Sequence, residues 1–208
     1  MDRIEKTNQY WQQQEATLQS MFQKGNPQYL DEHEKAEIIG HLPDLRGKKI
    51  LDLAAGIGRF TRHFSSQGRE VVSVDLMPHF IEKNHALHAD CANASFLCSD
   101  AMDLQFKDHY FDFIFINWLF LYLEDEEIEL LLNRVHQWLV PGGELFFRES
   151  CDLVRSSSKK EGYFAHYRPP SFYEGIAKRK FTVLKEDYIR TYVDCFADPL
   201  QCFWHCKK

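Results

Sequence analysis

Residues 48–60 read KKILDLAAGIGRF, a short apolar run that is interrupted by Asp52 and ends in a turn of small residues, Ala54 to Gly58. Because glycine has no Cβ and tolerates positive φ angles, a ligand can approach the backbone of such a turn closely. The next residues begin a predicted helix, over 58–67, whose free N–H groups point back at the turn. The stretch therefore predicts a strand, a ligand-binding loop and a helix, which together form the floor of a nucleotide-type cofactor site.

Strands and helices alternate along the chain from this stretch onward. The predicted strands cover residues 48–53, 70–75, 95–98, 111–116 and 144–149, and the predicted helices between them cover 58–67, 77–88 and 124–139. Such alternation predicts an α/β fold in which helices cover both faces of a parallel sheet. Residues 181–194 and 201–206 read as two further strands, and the link between them, Ala197-Asp198-Pro199, is too short for a parallel crossover. We therefore predict seven strands: five parallel strands, followed by a C-terminal antiparallel hairpin.

Two helices are predicted before the first strand, over residues 4–24 and 28–42. We expect them to form a helical lid within residues 1–45, above a core that comprises residues 46–208. The length of the chain suits a single domain.

Composition and charge limit the classes of partner. Hydrophobic residues make up 44% of the chain and charged residues 27%, which is ordinary for a globular protein. No apolar run approaches the roughly 20 residues that cross a bilayer, and the polar N-terminus does not resemble a secretory signal. The net charge of −6 offers no broad basic surface for a nucleic acid. We therefore expect a cytoplasmic monomer that binds a small molecule, without a nucleic-acid or membrane partner.

The six cysteines include no C-x-x-C pair, which argues against a zinc ribbon or a thioredoxin-like site. Cys202, His205 and Cys206 could in principle bind a metal, but they lie in an apolar run, CFWHC. We expect reduced, structural thiols there and no metal site.

The glycine turn discriminates between two cofactor classes. The dinucleotide fingerprint G-x-G-x-x-G lacks its third glycine here, because Thr61 stands in that position. NAD is therefore disfavoured, although it stays possible. The alternative pattern, acid–x–small–x–Gly–x–Gly, is met by Asp52, Ala54, Gly56 and Gly58, and it resembles the first motif of class I S-adenosylmethionine (SAM)-dependent methyltransferases. Most members of that class have glycine at the position of Ala54.

Two further acids fit the resemblance to this class. Asp75 ends the second predicted strand, where an acid can accept both ribose hydroxyls, and Asp100 follows the third, where the class places an acid near the adenine amino group. Leu76 and Ala101, next to these acids, are assigned to the same site. Each acid alone could equally be a solvated residue at a strand end. Together, at the carboxyl edge of one sheet, they favour SAM as the cofactor.

Asn117 and Trp118 end the fourth predicted strand, where the methyl acceptor of this class usually binds. Asn117 is assigned to the cofactor site and Trp118 to catalysis. Methyltransferases that act on the amino groups of nucleic-acid bases carry Asn or Asp followed by two prolines and an aromatic residue at this place. The prolines are missing here, which with the negative charge argues against a nucleic-acid acceptor.

The chain further resembles one family within this class, the phosphoethanolamine N-methyltransferases, and in particular the first of the two methyltransferase modules of the plant enzymes. The matching stretches are NQYW (8–11), LAAGIGRFT (53–61), INWLFLYLEDEEIELL (116–131), FFRESC (146–151) and HYRPPSFY (166–173). The resemblance implies a Rossmann-like fold and methyl transfer from SAM to the amine of phosphoethanolamine, a step towards phosphocholine. Because the first plant module is associated with the first methylation, a single methylation is favoured.

The predicted phosphate ligands lie late in the chain. A phosphomonoester is bound by cations and hydroxyl donors, and His166, Tyr167, Arg168 and Tyr173 supply such a set. Arg148, at the carboxyl end of the fifth strand, is a second cationic candidate. The alternatives are an internal ion pair of Arg148 with its neighbour Glu149, and a surface loop at 167–168.

Aromatic residues are the candidates for the amine end of the substrate. Tyr10, Trp11, Trp118 and Tyr122 could accept hydrogen bonds from the amine or face its cation through their rings. Single-domain protozoan relatives use a Tyr and His pair; Tyr10 matches that Tyr, but Tyr122 stands where the His is expected. We assign Tyr10, Trp118 and Tyr122 catalytic roles, and expect Tyr10 and Trp11 to close over both ligands. Two alternatives stay open: another small acceptor, or a degenerate fold that binds or regulates without catalysis.

Overall fold

The structure is a computed structural model that describes residues 3–22, 25–157 and 163–208. Its strands are β1 (Lys49–Leu53), β2 (Glu70–Asp75), β3 (Ala94–Cys98), β4 (Phe111–Asn117), β5 (Leu139–Ser150), β6 (Ser156–Ser157), β7 (His166–Tyr167), β8 (Thr182–Tyr188) and β9 (Gln201–Lys207). Its helices are α1 (Arg3–Gln12), α2 (Leu18–Met21), α3 (Pro27–His41), α4 (Thr61–Gln67), α5 (Pro78–Leu87), α6 (Asp125–Trp138), α7 (Pro170–Lys178) and α8 (Arg190–Phe196), with a 3-10 turn at Phe120–Tyr122.

One seven-stranded sheet organises the chain, in the strand order β3-β2-β1-β4-β5-β9-β8. Strands β1 to β5 are parallel, whereas β9 pairs antiparallel with both β5 and β8. The predicted Rossmann-like sheet, with five parallel strands and an antiparallel C-terminal pair, is confirmed. Strands β6 and β7 form a separate short hairpin outside this sheet.

The predicted connection between the last two strands is wrong. The first of them ends at Tyr188, and the next residues form helix α8 instead of continuing the strand. The carboxylate of Glu37, on α3, accepts hydrogen bonds from the backbone N–H groups of Arg190 and Thr191 at 2.6 and 2.9 Å. This carboxylate satisfies the free N–H groups of the first turn, and a partner more than 150 residues away leaves no local signal in the sequence.

Two other predicted boundaries shift. The helix predicted over 4–24 is divided into α1 and α2, and residues 23 and 24 lie outside the described residues. Strand β5 begins directly after α6 and includes the segment Pro141-Gly142-Gly143, which lies between the helix predicted over 124–139 and the strand predicted over 144–149. A register shift between Phe111 and Phe113 of β4 accommodates this segment in the sheet.

Both faces of the sheet are covered, as its strands require. Alternate side chains of β4 point to opposite faces, so Ile114 and Ile116 pack with α6, and Phe113 and Phe115 pack with α3, α4 and α8. The carboxyl ends of the parallel strands consequently form a single edge at which loops can meet a ligand. Among the described helices, none has both the length and the apolar character that a membrane span requires.

Candidate active site

The glycine loop leaves β1 through an unusual backbone conformation. Ala54, Gly56 and Gly58 have φ angles of 57°, 57° and 85°. Only glycine adopts this region freely, so Ala54 holds a conformation that costs an L-residue about 1 kcal/mol. At Gly58 a Cβ would also lie 2.0 Å from Oδ1 of Asn84. The loop therefore requires glycine at Gly58 for two reasons, backbone conformation and space.

Asp75 joins the end of β2 to this loop. Its Oδ2 atom accepts a hydrogen bond from the Gly56 N–H at 2.8 Å, and its Oδ1 accepts one from the Met77 N–H at 2.9 Å. Burial raises the pKa of Asp75, and these backbone hydrogen bonds oppose the rise. A carboxylate is thus held at the carboxyl edge of the sheet, beside the turn that a nucleoside would approach.

Asp52 is the buried acid of the first motif. Its side chain is enclosed at 2% exposure, and its Oδ2 atom has no hydrogen-bond partner within the described part of the chain. Burial raises the pKa of Asp52 well above its usual value, and the nearby charge of Asp75 raises it further. A positively charged ligand group would relieve this cost, which fits the ammonium or sulfonium of SAM.

One cavity of about 540 Å³ lies at this edge of the sheet and gathers most of the predicted cofactor residues. Those that line it are Asp52, Ala54, Gly56, Asp75, Leu76, Asp100, Ala101 and Asn117. Gly58 is not among the described lining residues; it shapes the loop instead. The same cavity extends to the predicted acceptor residues Trp11, Trp118, Tyr122 and Tyr167.

Aromatic side chains line the part of the cavity that contains the predicted acceptor residues. The hydroxyls of Tyr122 and Tyr163 lie 3.0 Å apart, and the Trp11 ring contacts the Tyr122 ring edge to face at 5.8 Å between centroids. Burial raises the pKa of Tyr122, Tyr163 and Tyr167, so these phenols stay protonated at neutral pH and both donate and accept hydrogen bonds. Tyr10 is buried against Trp11 and Tyr163, and is not itself among the described lining residues.

Glu149 holds the turn that carries Tyr122. Its Oε1 atom accepts from the N–H groups of Leu119 and Phe120 at 2.9 and 2.7 Å, and its Oε2 accepts from Leu121 at 3.3 Å. Burial raises the pKa of Glu149 to about 7, against the effect of these hydrogen bonds. The carboxylate caps the 3-10 turn rather than pairing with its neighbour in sequence.

Arg148 does not occupy the position predicted for a phosphate ligand. Its side chain is 0% exposed, it forms a buried ion pair with Glu34 of α3, and it is not among the described residues that line the cavity. Its guanidinium carbon lies 3.5 Å from the centre of the Trp118 ring. The alternative of an internal ion pair is correct in kind, but the partner is Glu34 and not Glu149.

Arg168 also lies away from the cavity. Its Nε donates to Asp125 at 2.7 Å, and its Nη atoms donate to the carbonyl oxygens of Phe120 and Leu123 at 3.1 and 2.6 Å. The guanidinium therefore joins the 3-10 turn to the start of α6, and this placement does not fit the prediction of a phosphate ligand.

Two more predicted phosphate ligands lie elsewhere. Tyr173 is fully buried in the hydrophobic core. His166 belongs to a second cavity, where its Nδ1 lies 3.0 Å from Ser157 Oγ and its Nε2 lies 3.4 Å from Glu124 Oε1. Of the predicted phosphate set, Tyr167 alone is among the described residues that line the main cavity.

Trp118 is held in a strained backbone conformation. Its φ angle is 57°, which is rare for a bulky residue. Its indole Nε1–H donates to Ser150 Oγ at 2.9 Å and lies 3.3 Å from Gln201 Oε1. Such strain persists only where the surroundings determine the conformation, and it is typical of functional sites.

Glu34, Arg59, Glu149 and Tyr163 are among the residues of this region that the sequence predictions did not include. Arg59 directly follows the second glycine of the loop and lines the cavity, and Glu149 lies within the matching stretch FFRESC. Their places in these motifs were signals that could have identified them. Glu34 and Tyr163 become recognisable only through their partners in the fold.

Comparison with known proteins gives consistent results. A family model described as Methyltransferase domain matches residues 50–143. Phosphoethanolamine N-methyltransferase 1 of Triticum aestivum is 38% identical over 174 residues, which cover 81% of this chain and 35% of that protein. The Zea mays enzyme of the same name is 35% identical over 214 residues, which cover 96% of this chain and 43% of that protein.

A solved structure agrees with these relatives. Haemonchus contortus phosphoethanolamine N-methyltransferase 1, in complex with phosphoethanolamine and S-adenosylhomocysteine, superposes with a TM-score of 0.91 at 30% identity. The match covers 99% of this chain and 48% of that chain. The present chain thus spans less than half of the length of each of these three relatives.

Residues 50–143 match the methyltransferase family model, and the superposition on a solved methyltransferase shows that the chain has the class I SAM-dependent methyltransferase fold. The sheet order and the cavity at its carboxyl edge agree with this class. The two plant relatives, which are similar over most of this chain, are phosphoethanolamine N-methyltransferases, and this confirms the resemblance seen in the sequence motifs.

Proposed function

We propose that this domain transfers a methyl group from SAM to the amine of phosphoethanolamine. The observation that carries the proposal is that one cavity is lined both by the predicted cofactor residues and by aromatic side chains that bear hydroxyl groups. This arrangement fits a nucleoside cofactor at one end and a small polar amine at the other. Relatives with this activity resemble the chain over most of its length.

The cofactor end is assigned from the strand termini. Asp75 would accept hydrogen bonds from the ribose hydroxyls, and Asp100 and Ala101 would lie beside the adenine, because they follow β3 at the same edge of the sheet. Asp52 would face the positive charge of the methionine part. When bound, SAM supplies an electrophilic methyl group; the residues of the chain only bind it and orient it.

The acceptor end is assigned to the tyrosines. An amine needs a free lone pair to take the methyl group, so the ammonium must lose its proton on or before binding. Neutral Tyr122 and Tyr163 can accept hydrogen bonds from the amine and fix its direction, and the Trp118 ring can face its charge. Such alignment of the reacting groups supplies much of the acceleration of a transfer reaction.

The phosphate end is assigned to a hydroxyl group. The phenol of Tyr167 lines the cavity, and a hydroxyl donor suits a phosphomonoester. Arg59 is the one cationic side chain among the described lining residues, and its guanidinium is already paired with Asp31 and Glu34. Trp11, Met21 and Phe22, from the N-terminal helical segment, line the same cavity, which supports the proposal that residues 1–45 act as a lid on a core of residues 46–208.

Product mass spectrometry tests the proposal. The domain is incubated with SAM and phosphoethanolamine until the reaction stops, in parallel with a panel of other amines and carboxylates, and Asp75→Ala serves as the impaired control. We expect methylated phosphoethanolamine that carries one added methyl group. Turnover of another acceptor but not of phosphoethanolamine would replace the substrate, and SAM binding with no turnover of any acceptor would indicate a binding protein.

We also propose, from composition and charge, that the domain acts as a monomer in the cytoplasm and needs no nucleic acid or membrane. Light scattering on the eluting protein measures its mass in solution, and a dimer mass would contradict the first part. Cell fractionation tests the second.

A further inference from the structure

A buried charge cluster connects the N-terminal helices with the core. We call it the Glu34 cluster, and it consists of Asp31 and Glu34 on α3, Arg59 after the glycine loop and Arg148 on β5. Glu34 Oε2 accepts from Arg59 Nη2 at 2.6 Å, and Glu34 Oε1 accepts from Arg148 Nη2. The side chains of Glu34 and Arg148 are 0% exposed, and that of Arg59 is 5% exposed. One carboxylate therefore joins two arginines from distant parts of the chain.

The first arm of the cluster reaches the cofactor loop. Arg59 directly follows Gly58, and its Nε also donates to Asp31 at 2.6 Å. Its guanidinium carbon lies 4.6 Å from the centre of the Phe22 ring, which lines the cavity. Because both carboxylates come from α3, the position of this helix determines where the end of the glycine loop lies.

The second arm of the cluster reaches the acceptor wall, by which we mean the aromatic side chains of Trp118 and Tyr122 that line the cavity. The guanidinium carbon of Arg148 lies over the Trp118 ring, 3.5 Å from its centre, and the Nη1 atom of Arg148 lies 3.4 Å from Asn117 Oδ1. Trp118 has the strained φ angle of 57°. A strained residue keeps its conformation only while its contacts hold it, and the stacked guanidinium is one of those contacts.

Stability alone does not account for such a cluster. Buried ion pairs cost desolvation that their attraction often only balances, so apolar residues could fill the same space at similar or better stability. A buried charge network is instead directional, because each guanidinium must meet its carboxylate in one geometry. Both elements that Glu34 holds line or adjoin the cavity.

We propose that Glu34 is a positioning residue that orients the cofactor loop through Arg59 and the acceptor wall through Arg148 and Trp118. The docking of α3 would then set both halves of the active site together. The acceptor arm rests on the proposed methyl transfer to phosphoethanolamine, whereas the cofactor arm requires only that the domain binds S-adenosylhomocysteine.

The test substitutes Arg59 and Arg148 separately, so that the effects of the cofactor arm and the acceptor arm can be told apart. Calorimetry measures the Kd of S-adenosylhomocysteine, and initial rates measure kcat and the KM of phosphoethanolamine, at a temperature where circular dichroism shows every variant folded. We expect Arg59→Lys to raise the Kd by about tenfold and Arg148→Lys to raise the acceptor KM by about tenfold, each with a smaller effect on the other constant. Glu34→Gln should raise both.

Glu144→Gln is the matched control. Glu144 also lies on β5 and also contacts two basic side chains, since it accepts from Lys48 at 3.2 Å and lies 2.6 Å from His205 Nε2, but these residues are not among those that line the cavity. We expect this variant to keep both constants within twofold of wild type. A Trp118→Leu background adds a second control, because the effect of Glu34→Gln on the acceptor KM should disappear there.

Each outcome decides the proposal. If Glu34→Gln lowers the melting temperature but leaves Kd, KM and kcat at wild-type values, the cluster is only structural and the proposal is overturned. If Glu34→Gln does not fold, the two arginine variants decide. The proposal is overturned if Arg59→Lys and Arg148→Lys each change the Kd of S-adenosylhomocysteine and the KM of phosphoethanolamine by the same factor. If phosphoethanolamine is not methylated at all, the proposed function fails, and the Kd of S-adenosylhomocysteine in Glu34→Gln against Glu144→Gln still decides the cofactor arm.

Discussion

Asp75 accepts a hydrogen bond from the backbone N–H of Gly56 at 2.8 Å, so the acid at the end of β2 directly contacts the glycine loop after β1. We expect Asp75→Ala to weaken S-adenosylhomocysteine binding by at least about tenfold, because a hydrogen bond to a charged group contributes roughly 1.5–3 kcal/mol. Calorimetry measures the change. Asp90→Ala, which removes an exposed acid paired with Arg62, is the control, and an equal Kd in the two variants would remove Asp75 from the cofactor site.

Ala54 has a φ angle of 57° at the turn where most of the class has glycine. Ala54→Gly relieves the strain of that conformation, whereas Ala55→Gly gains nothing, because Ala55 does not have a positive φ angle. We expect Ala54→Gly to have a free energy of unfolding about 1 kcal/mol higher than Ala55→Gly. Denaturant unfolding of the two variants measures the difference, and the reverse order would contradict the argument from backbone strain.

The hydroxyls of Tyr163 and Tyr122, which both line the main cavity, form a hydrogen bond of 3.0 Å at the proposed acceptor end. Removal of this hydroxyl by Tyr163→Phe should raise the KM of phosphoethanolamine by about two- to tenfold, the range for a neutral hydrogen bond, and leave the Kd of S-adenosylhomocysteine unchanged. Steady-state kinetics measures the first and calorimetry the second. Tyr110→Phe loses a similar hydroxyl contact, to Glu70 at 2.8 Å, outside the cavity lining. If both variants raise the KM alike, Tyr163 has no specific role.

The raised pKa of Glu149 predicts that the stability of the fold depends on pH. Burial raises its pKa from 4.5 to about 7 in the folded state, so folding favours the protonated carboxyl group. The stability that this group contributes is fully present below pH 4.5 and is lost as the pH rises through about 7. The difference between these pKa values corresponds to roughly 3 kcal/mol.

We expect Glu149→Gln to lose this component, so that its free energy of unfolding falls less steeply between pH 4.5 and 7 than that of wild type. Denaturant unfolding across this pH range measures both curves. Glu70→Gln, at the other end of the sheet, is the control and should follow the wild-type slope. Parallel curves for wild type and Glu149→Gln would show that Glu149 does not titrate in this range.

The contacts of Arg168 predict that its substitution lowers the stability of the fold and leaves substrate affinity unchanged. Its guanidinium is buried and donates to Asp125 and to backbone carbonyl oxygens. Arg168→Ala should lower the free energy of unfolding by roughly 3 kcal/mol, because a charged donor network is lost. Arg179→Ala, which removes an exposed arginine paired with Glu129, should change it by less than about 1 kcal/mol. A normal stability of Arg168→Ala together with a raised phosphoethanolamine KM alone would restore Arg168 as a phosphate ligand.

Patterns that depend on nearby residues were predictable from the sequence alone. Strand and helix alternation determined the sheet, because each element follows from periodicity within about ten residues. The glycine loop and the acids Asp75 and Asp100 were predictable for the same reason: each lies at the end of a recognisable strand, and parallel strands bring their carboxyl ends to one edge. The cavity collects eight of these predicted cofactor residues.

The partners of buried charges were decided only by the tertiary structure. Arg148 adjoins Glu149 in sequence, yet it pairs with Glu34, which is 114 residues away. Glu37 caps α8 in the same long-range manner, and this contact ends a segment that reads locally as strand. Desolvation makes every buried charge require a partner, but which partner is within reach depends on how the helices dock, and no local pattern encodes that. The sequence therefore determined which loops meet at the carboxyl edge of the sheet, and the docking of α3 against the sheet decided the buried partner of Arg148.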